Sequence, residues 1–293
     1  MKRYKKTAIF CGISGKPDSE GNYSFTVDFN HNADNDVIQF VEPFNIEKPM
    51  AGVDVCWFGY QYNPDIKGAY RQQCIKFLEN VKGTPVTVDD DSGEIYIPSN
   101  SDNIGICDED LGIMIDRSLR NMKLNDYLID TIIYPVSQSN NLNHYIVKYV
   151  KQYLLNSDRL SFYQLIKADP RNIQFDIERC LSDVEAGDIP NYFKDSLGNK
   201  QPITEDTLNT LINVAHNATT FSLYKITRSA FMRKYFSNYL LFKSVDQHLH
   251  NAENVLIVDD NNTTGTTVAE VIRRIREYND ICNIYVFTLT GSK

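Results

Sequence analysis

Residues 254–267 constrain the fold of this chain more than any other part of its sequence. The segment opens with an apolar run, residues 255–258, which has no polar face and therefore predicts a buried parallel strand. Two carboxylates, Asp259 and Asp260, follow the run, and a short turn of Thr and Gly comes next. Beyond the turn, apolar residues recur with helical spacing, so we predict a helix that starts near Thr266.

The turn in this segment has the composition of a phosphate site. A turn of this kind leaves backbone N–H groups unpaired and directs the positive end of a helix dipole at its contents, and both attract phosphate. Gly265 allows the backbone to approach a ligand closely or to adopt a positive φ angle. We therefore predict a phosphate site at Thr263, Thr264, Gly265, Thr266 and Thr267.

The whole segment resembles the signature of the type I phosphoribosyltransferases, a family that binds phosphoribosyl pyrophosphate (PRPP). That signature has four apolar residues, two acids, two variable residues and then Thr-Thr-Gly-x-Thr, and residues 255–267 read VLIVDDNNTTGTT. The resemblance implies that Asp259 and Asp260 hold the ribose 2′- and 3′-hydroxyls as the catalytic carboxylates. It also implies that residues 263–267 wrap the 5′-phosphate. A chance strand–turn–helix in another α/β protein is the alternative.

The resemblance further implies an activity, in which a nucleophile displaces pyrophosphate from C1 of PRPP. Mg²⁺ is expected to bind through PRPP near Asp259 and Asp260, with no ligand directly from the protein. Purine-salvage members place an Asp before the Thr-Gly pair; Thr263 stands there in this chain, which argues against purine salvage. The alternative function is a weakly active or inactive protein that binds PRPP or a nucleotide as a regulator or effector subunit.

A second candidate binding loop follows the short apolar strand predicted at residues 130–136. Helical spacing of apolar residues resumes at Leu142, so the layout is strand, polar loop and helix. In the resembled family a loop at this place binds pyrophosphate, which assigns that role to Ser137, Gln138, Ser139 and Asn140. Many members carry Lys or Arg in this loop and this chain does not; a plain polar connection is the alternative. His144 is a catalytic candidate, with a surface or packing role as its alternative.

Residues 225–234, with the sequence KITRSAFMRK, form the sharpest basic cluster of the chain. Lys and Arg suit pyrophosphate because their charge-assisted hydrogen bonds offset its charge. We predict that Lys225 and Arg228 face this ligand, with a solvated helix face or a protein or nucleic-acid contact as the alternatives. The net charge of −8 disfavours broad nucleic-acid binding but leaves a local basic patch open.

The predicted fold is α/β, a parallel doubly wound sheet of the type I phosphoribosyltransferase kind with ligand at the carboxyl ends of its strands. We predict an N-terminal mixed α/β region of unknown role at residues 1–120 and the phosphoribosyltransferase-like domain at residues 121–293. Strands at residues 23–29 and 53–60, a helix at residues 69–81 and a hairpin within residues 85–97 are expected. The polar stretch 187–201 predicts a loop.

Composition places the chain among soluble proteins, with 42% apolar and 23% charged residues. Its six cysteines form no C-x-x-C pair, which favours a reduced cytoplasmic protein. We expect no signal peptide, no transmembrane helix and no membrane partner. The single strand after the signature helix resembles the competence-associated branch of the family, and a homodimer is an expectation because dimers are common in that family.

Overall fold

The computed structural model describes residues 9–17, 23–28, 38–41, 44–47, 52–62, 86–88, 94–96, 108–120, 122, 124–136, 142–155, 157–219, 221–262 and 265–291. They fall into two compact units. The first contains residues 1–164, 245–263 and 279–293, and the second contains residues 165–244 and 264–278.

In the described parts of the chain, the elements before residue 108 are strands, and helices and strands are mixed after it. The strands are β1 (Ile9–Pro17), β2 (Tyr23–Asp28), β3 (Ile38–Val41), β4 (Phe44–Glu47), β5 (Val55–Tyr62), β6 (Thr87–Val88), β7 (Ile95–Tyr96), β8 (Thr131–Pro135), β9 (Ser161–Lys167), β10 (Gln174–Phe175), β11 (Tyr192–Lys194), β12 (Lys200–Pro202), β13 (Phe236–Ser237), β14 (Leu240–Phe242), β15 (Asn254–Asn262) and β16 (Asn283–Gly291). The α-helices are α1 (Asp108–Arg120), α2 (Leu142–Tyr153), α3 (Ile177–Glu185), α4 (Glu205–His216), α5 (Leu223–Ile226), α6 (Gln247–Asn251) and α7 (Thr266–Arg276). Short 3-10 helices lie at Leu124–Tyr127, Ser157–Arg159, Pro170–Asn172 and Ala230–Tyr235.

The first unit is built on a sheet whose central strands are parallel. Its strand order is β9-β8-β15-β16-β5-β3-β1-β2, with β4 also paired to β5. β15 runs parallel to β8 and β16, and β16 runs parallel to β5. β3 and β4 pair with β5 in the antiparallel sense. The predicted α/β class and the parallel pairing of the strands around residues 255–258 are confirmed.

β5 adds a strand from the predicted N-terminal region to this parallel sheet. Its residues Val55 and Cys56 lie opposite Tyr285 and Val286 of β16. The expected strand at residues 53–60 is therefore present, and its partner is a strand near the other end of the chain. The expected hairpin is also present as the antiparallel pair β6–β7. The division of the chain at residues 120 and 121 stays a prediction, and the helix expected at residues 69–81 lies outside the described residues.

Helices α1 and α2 cover an apolar core in the first unit. α1 contacts β5 and α2, and α2 contacts β15. The core joins Leu111 and Ile146 of these helices to Leu256, Val258 and Phe287 of the sheet, all at most 2% exposed. Full burial of one such side chain contributes about 1.5–3 kcal/mol relative to exposure. The apolar run at residues 255–258 is therefore a buried strand, as predicted, because helices and neighbouring strands enclose it.

The amino end of β15 is fixed by a carboxylate. Oδ2 of Asp130 accepts hydrogen bonds from the backbone nitrogens of Glu253 and Asn254, at 2.8 and 2.9 Å. The backbone nitrogen of Asp130 in turn donates to the carbonyl of Asn254, at 3.1 Å. These bonds set the register at which β15 enters the sheet.

The second unit contains small antiparallel pairs and α3, α4, α5 and α7. β14 pairs with the second half of β9, β10 with β13, and β11 with β12. Thr204 and Thr207 form a capping box at the start of α4. Glu270 of α7 is 3% exposed and pairs with Arg273 at 2.8 Å. Pairing of this buried carboxylate offsets its desolvation.

The stretch 187–201, predicted to be a loop, contains the β11–β12 hairpin. Oδ1 of Asp195 accepts from the backbone nitrogens of Leu197 and Asn199, both at 2.9 Å, which closes the turn. Gly198 adopts a positive φ of 93° there. The prediction was wrong because each strand has only three residues, which is too short to show a period-two pattern.

The hydrogen bonds of Asp183 in α3 predict that the stability of the second unit depends on pH. Its Oδ2 accepts from Lys234 Nζ at 2.7 Å and from the Tyr235 hydroxyl at 2.5 Å. The hydrogen bond from Lys234, followed by the one from Tyr235, lowers the pKa of the Asp183 carboxyl. A carboxyl pKa that is lower in the folded state gives stability above the unfolded pKa, about 3.9, and loses it as the pH falls through the folded pKa.

We therefore expect Asp183→Asn to lower the Tm of the protein at pH 7, with the difference from wild type shrinking below about pH 4. Thermal unfolding followed by circular dichroism from pH 3 to pH 8 measures this. Asp188→Asn, in the turn after α3, is the control and should leave the Tm unchanged. A difference for Asp183→Asn that is equally large at pH 3 and pH 7 contradicts the assignment.

Among the described residues, no helix has the length and apolar character needed to cross a membrane. Cys56, Cys180 and Cys282 are buried thiols that take part in no disulfide. Burial raises the pKa of the Cys180 thiol to about 11, and the negative charge of Asp183 adds to this shift. Cys180 is therefore a thiol, and not a thiolate, at neutral pH.

Candidate functional site

The carboxyl end of β15 holds the two acids of the signature-like segment. Asp259 is 6% exposed, and Asp260 is half-buried. β15 lies between β8 and β16 in the first unit, so the carboxyl ends of three parallel strands meet at this edge. Ligands of open α/β sheets bind at such an edge. The fold thus brings both predicted carboxylates to the place where a ligand is expected.

In the described part of the chain, Asn143 and the backbone of Asp260 supply donors to the Asp259 carboxylate. Its Oδ1 accepts from Nδ2 of Asn143 at 3.2 Å and from the backbone nitrogen of Asp260 at 2.9 Å. A carboxylate buried without donors would be costly, and N–H donors offset part of that cost. The amide of Asn143 comes from the first turn of α2, the helix that follows β8.

Threonines of β16 line the other side of β15. Thr288 lies opposite Asp259 in the parallel register, and Thr290 lies opposite Asn261. The Thr290 hydroxyl donates to the carbonyl of Asp260 at 3.1 Å. Thr288 and Thr290 are at most 1% exposed, so this strand end is a buried polar region next to an apolar core.

α7 begins at Thr266, after the turn that follows β15 in the chain. Thr263 and Thr264 lie outside the described residues. Gly265 has φ 71° and ψ 0°, a left-handed conformation, and is the N-cap of α7. Thr266 and Thr267 form the first turn of this helix. The predicted helix start near Thr266 is confirmed, and of the two options that Gly265 was expected to allow, the positive φ is the one observed.

The first turn of α7 is tied to its own unit. The carbonyl of Gly265 accepts from the Ala269 nitrogen at 2.8 Å, and the carbonyl of Thr266 accepts from the Tyr239 hydroxyl at 2.8 Å. Backbone nitrogens of the first turn of a helix have no partner inside that helix. Their dipole favours a negative charge, as a 5′-phosphate would supply.

A tyrosine–histidine pair stands at the end of β8. The Tyr134 hydroxyl accepts from Nε2 of Gln164 at 3.0 Å and lies 3.3 Å from Nδ1 of His144. With Gln164 as donor, the single hydroxyl proton of Tyr134 points to His144 when that ring nitrogen is unprotonated. Burial raises the pKa of Tyr134, and the Gln164 hydrogen bond acts in the opposite direction. His144 is half-buried, and its ring packs edge-to-face with the ring of Tyr134. This contact supports a packing role for His144.

The predicted pyrophosphate ligands divide into two groups. Ser137, Gln138, Ser139 and Asn140 lie outside the described residues. Lys225 and Arg228 belong to the second unit and are exposed. Nε of Arg228 donates to the carbonyl of Ser196 at 2.9 Å, so this guanidinium packs on the β11–β12 hairpin.

Lys167, at the end of β9, is a further cation that sequence reasoning did not single out. Burial lowers the pKa of Lys167, and the positive charge of Lys225 lowers it further. A like charge disfavours the charged form of a lysine, as burial does. The sequence offered no signal for this pair, because 58 residues, from 167 to 225, separate its members.

Asn143 and Thr288 are the other residues of this region that sequence reasoning missed. Asn143 follows Leu142 at the start of α2, and Thr288 interrupts the apolar run of β16. The signal in the sequence for each of them was a polar residue at a position where the neighbouring apolar residues predict burial. No metal centre is formed by protein side chains alone in the described residues, since they contain no group of three or more His, Cys, Asp or Glu that could hold an ion.

A scan of the chain against protein-family models finds no match, and a search of curated proteins finds none. These comparisons assign no family, so the class of the protein follows from its fold and from this region. It is an α/β protein with a mostly parallel central sheet and a buried carboxylate at the carboxyl end of a central strand.

Proposed function

We propose that this chain binds PRPP with Mg²⁺ and transfers the phosphoribosyl group to an acceptor, releasing pyrophosphate. The observation that supports this function is the buried Asp259 at the end of a central parallel strand, followed in the chain by left-handed Gly265 and a helix start. The proposal includes a doubly wound sheet of the type I phosphoribosyltransferase kind and a cytoplasmic location.

Binding of the ribose is assigned to the two acids. Ionised carboxylates accept short, strong hydrogen bonds from hydroxyl groups, and two adjacent acids match the 2′- and 3′-hydroxyls of a ribose. Asp259 is held by donors of its own, so its position does not have to be fixed when the ligand arrives. Binding of the 5′-phosphate is assigned to Thr263, Thr264, Gly265, Thr266 and Thr267, through backbone nitrogens and hydroxyl groups.

The donor set fits Mg²⁺ that arrives with PRPP. Mg²⁺ prefers oxygen ligands and is commonly held by one or two carboxylates together with substrate phosphates and waters. Asp259 and Asp260 supply carboxylate oxygens near this position, while the described residues contain no complete protein cage for an ion. When bound, the ion neutralises charge on the leaving pyrophosphate.

The chemistry that the protein's own residues perform is positioning and charge stabilisation. The bond from C1 to the pyrophosphate oxygen breaks, its electrons leave with pyrophosphate, and the acceptor's lone pair forms the new bond to C1. Asp259 and Asp260 hold the ribose while its ring flattens, and their negative charge favours the positive charge that develops there. Residues 137–140, with Lys225 and Arg228, are proposed to receive the pyrophosphate.

We expect the wild-type protein to release pyrophosphate from PRPP when Mg²⁺ and a suitable base are present. A coupled pyrophosphate assay with a panel of purine and pyrimidine bases measures this, and isothermal titration with PRPP and Mg²⁺ measures binding separately. Omission of Mg²⁺ is the control and should abolish release. Absence of PRPP binding at millimolar ligand would overturn the proposed function.

A PRPP- or nucleotide-binding regulator or effector subunit is the second candidate. The predicted pyrophosphate loop, residues 137–140, carries no Lys or Arg, and Arg228 contacts a carbonyl within its own unit. Both features would weaken stabilisation of the leaving group without affecting the ribose site. PRPP binding without pyrophosphate release for any base would favour this candidate.

A further inference from the structure

We infer that Asn143 is a positioning residue of the proposed site, which holds the Asp259 carboxylate and offers its own carbonyl oxygen to a hydroxyl of the ligand. The inference rests on the proposed function. It adds a residue that the signature-like segment does not contain and that comes from a different part of the chain, the first turn of α2.

Two hydrogen bonds fix the orientation of the Asn143 amide. Its Nδ2 donates to the carbonyl of Pro135 at 2.8 Å and to Oδ1 of Asp259 at 3.2 Å. Both partners accept hydrogen bonds, so a flipped amide would place Oδ1 against two oxygens. The nitrogen is therefore the atom between Pro135 and Asp259, and the amide oxygen points elsewhere.

One side chain thus links the ends of two neighbouring parallel strands. Pro135 ends β8, and Asp259 lies near the end of β15. Oδ1 of Asp259 receives a second donor from the Asp260 backbone, which restricts rotation of the carboxylate. A carboxylate held at a fixed angle can bind a ligand hydroxyl without first losing rotational freedom.

The amide oxygen of Asn143 is a buried acceptor that needs a donor. Asn143 is 9% exposed, and its Oδ1 has no hydrogen-bond partner among the described residues. The same holds for Oγ1 of Thr288, which is fully buried beside Asp259 in the strand register. Buried polar atoms are costly without partners, and such atoms in a native protein often mark a bound water or ligand.

The ligand chemistry that matches these atoms is a vicinal diol. When one ribose hydroxyl donates to Asp259, the adjacent hydroxyl of the diol is expected near Asn143. That second hydroxyl has a proton of its own, which it can donate to Asn143 Oδ1. Asn143 Oδ1 accepts only, so it discriminates in favour of a hydroxyl and against a ligand oxygen without hydrogen. We therefore expect Asn143 to contribute to PRPP affinity directly and through Asp259.

The test compares Asn143→Ala with Asn279→Ala in the full chain. Asn279 is also buried, at 4% exposure, and its Nδ2 also donates to two backbone carbonyls, those of Leu249 and Ala252. Both variants should lose stability. Isothermal titration with PRPP and Mg²⁺ should show a loss of about 10- to 100-fold in affinity for Asn143→Ala alone, as expected for hydrogen bonds that involve a charged group.

A ligand-free measurement accompanies the titration. The free energy of unfolding is measured in urea for Asn143→Ala, Asp259→Ala and the double variant. Residues in contact give non-additive effects, whereas Asn279→Ala combined with Asp259→Ala should be additive. Additive effects for Asn143 and Asp259 would overturn the positioning role.

The two measurements separate the failure of this inference from failure of the proposed function. If the wild type binds PRPP and Asn143→Ala binds it equally well, the ligand-facing role is wrong and the proposed function stands. If the wild type does not bind PRPP, the proposed function fails and takes the ligand-facing role with it. The unfolding cycle still decides whether Asn143 positions Asp259.

Discussion

The double variant Asp259→Asn, Asp260→Asn is expected to lose PRPP binding in the presence of Mg²⁺ while keeping its fold. Each substitution replaces an ionised acceptor by a neutral amide, and a hydrogen bond to a charged group contributes about 1.5–3 kcal/mol. Loss of two such bonds corresponds to a decrease in affinity on the order of 10²- to 10⁴-fold. Isothermal titration measures the affinity, and circular dichroism measures the fold.

The fold should survive because the amide of Asn is nearly the same size as the carboxylate. The Oδ1 of an Asn at position 259 can still accept from Asn143 Nδ2 and from the backbone nitrogen of residue 260. Position 260 is half-buried, so an amide there remains partly solvated. The apolar residues 255–258, which carry most of the burial of β15, are unchanged.

Asp130→Asn is the matched control for this double variant. Asp130 is bonded to the amino end of the same strand, through the nitrogens of Glu253 and Asn254. This substitution should lower stability and leave PRPP affinity unchanged. Equal losses of affinity in the control and in the double variant would mean that a weakened strand, and not the loss of ligand contacts, explains the result. Unchanged affinity in the double variant would refute the role of both acids.

The parts of this region that could be predicted from sequence are those with a local signal. The apolar run 255–258 predicts a buried strand because no residue in it is polar, and it is buried. Gly265 is the residue in the turn that adopts a left-handed conformation without strain, and it has a φ of 71°. The helix start at Thr266 follows from the 3.6-residue period of the apolar positions after it.

The contacts that could not be predicted join residues far apart in the chain. Asn143 and Asp259 are separated by 116 residues, and no periodicity relates them. The pairing of β5 with β16 is another example, since an isolated strand pattern does not specify its partner. A Ser, Thr or Asn at a core position shows that a partner is needed, but its identity depends on how the strands are ordered in the sheet.

Replacement of Gly59 by Ala is expected to cause a large loss of stability. The variant tests the pairing of β5 with β16, which sequence reasoning did not predict. Gly59 lies in β5 and is buried. A Cβ atom there would lie 2.6 Å from the Ser118 hydroxyl oxygen and 2.7 Å from the carbonyl oxygen of Leu289. Overpacking of this kind costs about 1–3 kcal/mol, and the upper part of that range is expected because one of the atoms is backbone.

The Leu289 carbonyl cannot move away without disturbing the sheet. The residues on either side of it in β16, Thr288 and Thr290, are in register with Phe58 and Tyr60 of β5. A shift of Leu289 therefore pulls on the β5–β16 pairing along its length. Ser118 is also constrained, because its hydroxyl donates to the carbonyl of Met114 at 2.8 Å inside α1. Urea unfolding of Gly59→Ala at pH 7 measures the loss.

Gly112→Ala provides the comparison that separates a backbone obstruction from a side-chain one. Gly112 lies in α1, and a Cβ atom there would meet the hydroxyl end of Tyr149. That hydroxyl is the far end of a half-buried side chain, which a change in χ1 can move. Ala is favoured over Gly inside a helix by about 1 kcal/mol, so we expect little change or a small gain. If Gly59→Ala is as stable as Gly112→Ala, then β5 does not pack against β16 and α1 as described. A large loss for Gly59→Ala alone means that a strand from the first 120 residues is a structural part of the sheet that carries Asp259.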